Sequence, residues 1–80
     1  MHVTVKLHAT LRKYLPPGSG DNTVRLELAE RATVADLLAQ AGIPLEHAKM
    51  MVSNGERLEP QSVLRDGQEV NLFPPLAGGV

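Results

Sequence analysis

Residues 33–42 read Thr-Val-Ala-Asp-Leu-Leu-Ala-Gln-Ala-Gly, and this stretch predicts the one main helix of the chain. Thr33 is a typical N-cap residue, and Asp36 places negative charge in the first helical turn. Gly42 suits the position just after the helix, and Pro44 prevents continuation. The apolar residues fall at i, i+3, i+4 and i+7: Val34, Leu37, Leu38 and Ala41. They form one stripe, which can cover one face of a sheet.

The chain before the helix shows the period-two pattern of half-buried strands. Apolar and polar residues alternate across residues 3–7 and again across residues 24–28, so the two segments are expected to pair as a hairpin. Residues 9–15 have no clear period. Residues 16–22 form a loop by composition, since they carry two prolines and two glycines.

The chain after the helix predicts three further strands. Residues 49–53 are a short apolar run that ends at the turn signal Asn54-Gly55. Arg57-Leu58 predicts a short edge strand, and residues 60–67 a connection that closes with a turn. Residues 69–73 alternate again and form the last strand. The order strand, strand, helix, strand, short strand, strand predicts an α+β roll of four to five strands with the helix across one face.

Composition excludes several classes of function. Eighty residues make one small domain, and the formal net charge of -1 without runs of like charge gives no footprint for nucleic acid or an anionic membrane. The aromatic fraction of 2% argues against stacking on bases. The chain has no cysteine, so it cannot carry sulfur on a thiol. The N-terminus lacks a signal-peptide pattern and no apolar run could span a bilayer, so a cytoplasmic location is expected.

Residues 72–80, Leu-Phe-Pro-Pro-Leu-Ala-Gly-Gly-Val, end the chain in a way that does not serve stability. Pro74 and Pro75 cannot donate ladder hydrogen bonds, so the last strand stops there. Gly78 and Gly79 lack a Cβ, and a backbone of this kind could thread a narrow channel in another protein. The sequence therefore predicts a folded domain over residues 1–75 and a flexible tail over residues 76–80.

This tail closely resembles the end of the small subunit of molybdopterin synthase, in the MoaD and ThiS group of ubiquitin-like sulfur carriers. The resemblance rests on Phe73-Pro74-Pro75-Leu76-Ala77-Gly78-Gly79, which is specific. Weaker similarities lie in residues 7–12, 52–56 and 64–70, in the family's order along the chain. The resemblance implies a ubiquitin-like β-grasp fold with a mixed sheet. It also implies a carrier that is a co-substrate and not itself an enzyme.

The family's chemistry takes place at the C-terminus. The resemblance implies that an adenylyltransferase similar to ubiquitin-activating enzymes uses ATP and magnesium to adenylate Gly79, and that a sulfur donor then converts it to a thiocarboxylate. The large subunit of molybdopterin synthase would receive the charged tail, with residues 73–78 as partner contacts. This chain has no Walker-type loop, so no cofactor is expected to bind to it and ATP belongs to the partner.

Val80 departs from the family pattern, in which such chains usually end at the second glycine. Because Val80 blocks the carboxyl group of Gly79, we expect a peptidase to remove it before activation. Three alternatives stay open. The chain could deliver sulfur to another product, such as cysteine, thiamine or a tungsten cofactor. It could be a ubiquitin-like modifier that forms isopeptide bonds through Gly79, or a non-catalytic β-grasp interaction module with an inert tail.

A few side chains outside the tail also carry expectations. Phe73 falls on the face opposite the core, where it either contacts a partner or packs under the segment containing Tyr14. Met50 and Met51 are adjacent, so one should be core and the other surface. The histidines lack metal-ligand spacing and are expected to be solvated: His2, His8 and His47.

Overall fold

A computed structural model of the chain describes residues 1–15 and 22–75, and it shows a mixed five-stranded sheet with one α-helix. The strands are β1 (His2–Leu7), β2 (Thr23–Glu27), β3 (Met50–Ser53), β4 (Glu56–Arg57) and β5 (Glu69–Phe73), and the helix is α1 (Val34–Ala41). The strand order is β2-β1-β5-β3-β4. The α+β roll is therefore confirmed. The expected loop at residues 16–22 lies outside the described residues, apart from Asn22. The expected tail at residues 76–80 lies entirely outside them.

Strand β5 lies at the centre of the sheet. It pairs in parallel with β1, with Leu7 opposite Leu72, and antiparallel with β3, with Met50 opposite Phe73. The expected hairpin of β1 and β2 is confirmed by their antiparallel register. Since β5 is flanked on both sides, its end is fixed by two neighbours, and that end is where the tail begins.

Helix α1 begins and ends as its sequence predicts. The Asp36 N–H donates to Thr33 Oγ1 at 3.3 Å, and the Thr33 N–H donates to Asp36 Oδ2 at 2.9 Å. This reciprocal capping box satisfies two amide donors that the helix itself leaves unpaired. Gly42 ends the helix with a φ of 76°, a left-handed conformation that glycine adopts without steric cost.

A single apolar core lies between α1 and one face of the sheet. The inner residues of the two central strands are fully or almost fully buried: Val3, Val5, Leu7, Val70 and Leu72. The helix contributes Val34, Leu37 and Leu38. The one buried polar side chain in the described part, Ser53, donates to the Glu69 carbonyl at 2.7 Å and accepts from Gln68 Nε2 at 2.9 Å. This buried hydroxyl therefore both donates and accepts a hydrogen bond, as buried polar groups usually must.

Three segments differ from the sequence expectation. Residues 9–14, which have no periodic pattern, form a 3₁₀ helix anchored by the buried Leu11, and residues 45–47 form a second 3₁₀ helix. The edge strand is Glu56–Arg57 and not 57–58. Asn54 and Gly55 both have positive φ, at 52° and 79°, so they form a two-residue hairpin turn that starts β4 at Glu56.

Across residues 1–15 and 22–75, none of the helices has the length and apolar character to cross a membrane.

Candidate functional site at the end of strand β5

The candidate site begins where β5 ends. Phe73 is the last residue of the strand, Pro74 follows half-buried, and Pro75 is exposed. The His8 N–H donates to the Leu72 carbonyl at 3.1 Å, which extends the parallel pairing of β1 and β5 up to this point. The central strand is thus paired on both sides up to its end, and the next two residues, Pro74 and Pro75, cannot continue it. The five remaining site residues of the sequence prediction lie outside the described residues: Leu76, Ala77, Gly78, Gly79 and Val80.

Phe73 lies on the outer face of the sheet, away from the core, as predicted. Its ring stacks on His8, with centroids 4.2 Å apart and planes 11° from parallel. His8 is thus a neighbour within the chain that neither expectation named, and the contact of Phe73 with a partner stays a prediction. The parallel register places Leu7 opposite Leu72, so the next residues, His8 and Phe73, come together. Sequence periodicity gives the face of Phe73 but not the neighbour, which depends on the register between distant strands.

His8 is held more firmly than the expectation of a solvated side chain implied. It is half-buried, and its Nε2 atom lies 3.0 Å from Asn71 Oδ1 on the neighbouring strand. The stacking and this hydrogen bond fix the imidazole across β1 and β5 beside the tail. The described residues contain no group of three His, Cys, Asp or Glu side chains that could hold a metal ion.

Met50 extends this outer surface across β3. It pairs with Phe73 in the antiparallel ladder and its side chain is 46% exposed, whereas Met51 is buried. The prediction of one core and one surface methionine is confirmed. Met50, Val52, Phe73 and His8 therefore form an apolar and polarisable surface directly beside the strand end, here called the outer patch. Surfaces rich in methionine and aromatic residues suit contacts with partner proteins.

A small cavity lies beside the base of the tail. Its volume is about 150 Å³, and its walls are Thr10, Leu11, Lys13, Tyr14, His47, Pro74 and Pro75. Tyr14 Oη and His47 Nδ1 are 2.9 Å apart and hydrogen-bond, which joins the first 3₁₀ helix to the second. Lys13 Nζ lies 5.4 Å from the centroid of the Tyr14 ring. The cavity can receive a small side chain of a partner next to a cation.

Sequence reasoning missed this gathering of residues 10–14 with residue 47. The two 3₁₀ helices are far apart in the chain, and neither shows a period that would have revealed its position. A partial signal was Pro44, which prevents the helix from continuing toward residues 45–47. A larger groove of about 570 Å³ lies between the second 3₁₀ helix and β4, and neither Pro74 nor Pro75 lines it.

Comparison with known proteins places these features in context. The sequence model of the Mut7-C ubiquitin family matches residues 1–78. SAMP1 from Haloferax volcanii, called small archaeal modifier protein 1 in a second structure, is 31% identical over 99% of this chain and 100% of that chain, with a TM-score of 0.72. No protein of curated function matches the sequence.

Two further solved structures share the fold. A Pyrococcus furiosus protein provisionally assigned as molybdopterin converting factor subunit 1 is 25% identical over 94% of this chain and 98% of that chain, with a TM-score of 0.70. A ubiquitin-like protein from the hyperthermophilic archaeon Caldiarchaeum subterraneum is 18% identical, covers 92% of this chain and 95% of that chain, and has a TM-score of 0.51. At that identity the second likeness shows the fold alone.

Proposed function

The chain belongs to the Mut7-C ubiquitin family, and we propose that it is a sulfur carrier whose Gly79 donates sulfur in molybdopterin biosynthesis. It is a small ubiquitin-like protein that acts as a co-substrate and not as a catalyst. One observation carries the proposal: the central strand β5 ends at Phe73-Pro74-Pro75, and the sequence then continues into Leu76-Ala77-Gly78-Gly79. The likeness to the Pyrococcus furiosus protein supports molybdopterin as the product.

The geometry at the strand end suits a tail that must reach into another protein. Pro74 and Pro75 restrict the backbone, and both contact the cavity beside the first 3₁₀ helix, so the tail has a fixed base. The four residues from Leu76 to Gly79 can extend about 14 Å from that base. This reach is enough to carry the Gly79 carboxyl group well below a partner's surface. The outer patch beside the base would then contact the rim.

Activation requires an external enzyme. A ubiquitin-activating-enzyme-like adenylyltransferase binds ATP and Mg²⁺, and the Gly79 carboxylate attacks the α-phosphorus while pyrophosphate leaves. Sulfide from a donor displaces AMP and leaves a thiocarboxylate. The molybdopterin synthase large subunit then receives the tail. This chain supplies the carboxylate and its position. A peptidase must first hydrolyse the Gly79–Val80 amide, because an amide carbonyl offers no carboxylate to attack ATP.

The intact mass of the protein purified from its native cells tests the proposal. We expect some molecules to end at Gly79, and a fraction of these to carry sulfur in place of one terminal oxygen. Sequencing of the C-terminal peptide locates the change. If every molecule retains Val80 with an ordinary carboxylate while the cells make molybdenum cofactor, the proposal is wrong.

Protein modification is the second candidate, and the 31% identity to small archaeal modifier protein SAMP1 favours it. The first step is the same, but a lysine amine of a target then displaces AMP and forms an isopeptide bond with Gly79. The two functions differ in the product that forms from the adenylated Gly79 carboxyl group. A modifier produces a ladder of heavier proteins that share the Gly79 remnant on lysine, whereas a carrier produces the thiocarboxylate without such a ladder.

A further inference from the structure

All lysines of the chain lie at the end of the sheet where the tail leaves. Lys6 is the last residue but one of β1, Lys13 lies in the first 3₁₀ helix, and Lys49 immediately precedes β3. Because β1 runs parallel to β5 and β3 runs antiparallel, the end of β1 and the start of β3 meet at the end of β5. Arg12 is adjacent to Lys13. These four residues are here called the basic collar.

Most acidic residues in the described part of the chain lie at the opposite end. Asp66 Oδ1 accepts a hydrogen bond from the His2 N–H at the start of β1, and Glu30 lies 3.7 Å from the N-terminal ammonium group. Four more lie at the end of β2, in the first turn of α1, at the start of β4 and at the start of β5: Glu27, Asp36, Glu56 and Glu69. Glu46 and Glu59 are the exceptions within the described part of the chain, since both line the larger groove together with Lys49. Arg31 and Arg65 also lie at the acidic end, so the separation of charge in the described part is partial: cations are in excess beside the tail and carboxylates at the opposite end.

The collar cations are available to a partner. Among residues 1–15 and 22–75, the one ion pair joins the N-terminus to Glu30, so no collar residue is neutralised by a carboxylate there. Arg12 and its neighbour make only local contacts: Arg12 Nε donates to the Ala9 carbonyl at 3.2 Å, and the Lys13 ammonium lies over Tyr14. Lys13 also lines the cavity shared with Pro74 and Pro75. At least one collar cation therefore lies at the base of the tail.

We propose that the basic collar docks on a rim of Asp and Glu side chains that surrounds the channel of the adenylyltransferase, the enzyme that receives the tail. This inference rests on the proposed function. Exposed charges at a rim increase the rate of encounter and orient the partner, without the desolvation cost of a buried ion pair. A carrier must also leave after each reaction, and such contacts allow this. The separated charge would turn the tail end, and not the opposite end, toward an acidic mouth.

The test measures pyrophosphate release by the adenylyltransferase of the same organism, with this protein ending at Gly79 as substrate. The collar variant is Arg12→Glu with Lys13→Glu. The control is Arg31→Glu with Arg65→Glu, which makes the same change of charge at exposed residues of the far end. Thermal unfolding of both variants confirms that they fold. Assays at about 0.01 M and 0.15 M ionic strength separate long-range electrostatics from contact effects, because screening is much stronger at the higher salt.

We expect the collar variant to raise the KM for the carrier about tenfold or more at low salt, in the range that electrostatic steering commonly spans. The difference should shrink at high salt, with kcat and the KM for ATP unchanged, and the control should change little. Equal effects of both variants would overturn the docking role of the basic collar but not the proposed function. So would a raised KM for ATP, which would mean that the cations face nucleotide phosphates. Absence of pyrophosphate release with the unsubstituted protein would instead overturn the proposed function, and the collar with it.

Discussion

Alternate residues of strand β5 face two different environments. Val70 and Leu72 are fully buried against the helix side, whereas Asn71 and Phe73 lie half-buried on the outer face with His8. The inner residues are held by the core, whereas the outer ones contact His8, which follows the neighbouring strand. A strand with a period of two can therefore hold the fold with one set of residues and present a surface with the other.

Because of this division, we expect stability and partner binding to be separable by mutation. Removing an inner side chain leaves a cavity that the close-packed core cannot easily fill. Removing an outer side chain, or the tail, changes what a partner meets but leaves the core intact. The predictions that follow test whether the two sets are independent, and the first concerns the tail alone.

Deletion of Gly79 and Val80 should abolish adenylation and leave unfolding unchanged. The truncated chain ends at Gly78, so its carboxylate stops one residue short of the position that the partner activates. The measurement is pyrophosphate release, beside a urea unfolding curve. Deletion of Val80 alone is the matched control, and it should be adenylated without a peptidase. A Gly78-ended chain that is adenylated as fast as the control would contradict the role of Gly79.

Leu72→Ala should destabilise the protein by about 2–5 kcal/mol, the usual cost of this truncation in a well-packed core. Leu72 is 0% exposed and central in the sheet, so its neighbours cannot collapse into the space. Since an 80-residue domain is stabilised by only about 4–12 kcal/mol, much of the chain would be unfolded at moderate temperature. Urea unfolding measures the change. Asn71→Ala, the next residue on the outer face, is the control, and an equal loss there would contradict the division.

The sequence predicted most of the fold because its signals are local. The capping box at Thr33 and Asp36, the left-handed Gly42 and the turn at Asn54-Gly55 each depend on residues close in the chain. The 3₁₀ helix at residues 9–14 was missed for the opposite reason. It has no period, and its place is decided by one buried residue, Leu11, that contacts a core assembled from distant segments.

The candidate site was predicted in part. The strand end at Phe73 and the outward face of that residue follow from alternation and from Pro74. The stacking of Phe73 on His8, and the hydrogen bond between Tyr14 and His47, depend on how β1 and β5 align and on how two short helices meet. No pattern within a window of the sequence contains that information, because these pairs are brought together only by the assembled sheet.

Thr33→Ala should cost about 1 kcal/mol of stability by removing the N-cap acceptor. The cap lies at the end of α1 that faces away from the tail, so the KM for the carrier in adenylation should not change. Thr33→Ser keeps the hydroxyl and is the matched control. Chemical denaturation gives the free energy of unfolding for each variant. If Thr33→Ala weakened adenylation of the folded protein while Thr33→Ser did not, the fold and the tail would be coupled through the helix.

The last prediction concerns the contact between Phe73 and His8, which lies on the outer face at the base of the tail. A double-mutant cycle of Phe73→Ala and His8→Ala should give a coupling of about 0.5–1.5 kcal/mol, as for other ring pairs. The same substitutions should raise the KM for the carrier, because both rings lie in the outer patch beside the tail.

Phe73→Leu separates the two contributions, since it keeps apolar area for a partner but loses the stacked ring. If Phe73→Leu restored the KM but not the coupling energy, the partner would recognise the apolar surface. If it restored neither, the partner would need the ring in the orientation that His8 imposes, and the outer face of β5 would then be as precisely ordered as the inner one.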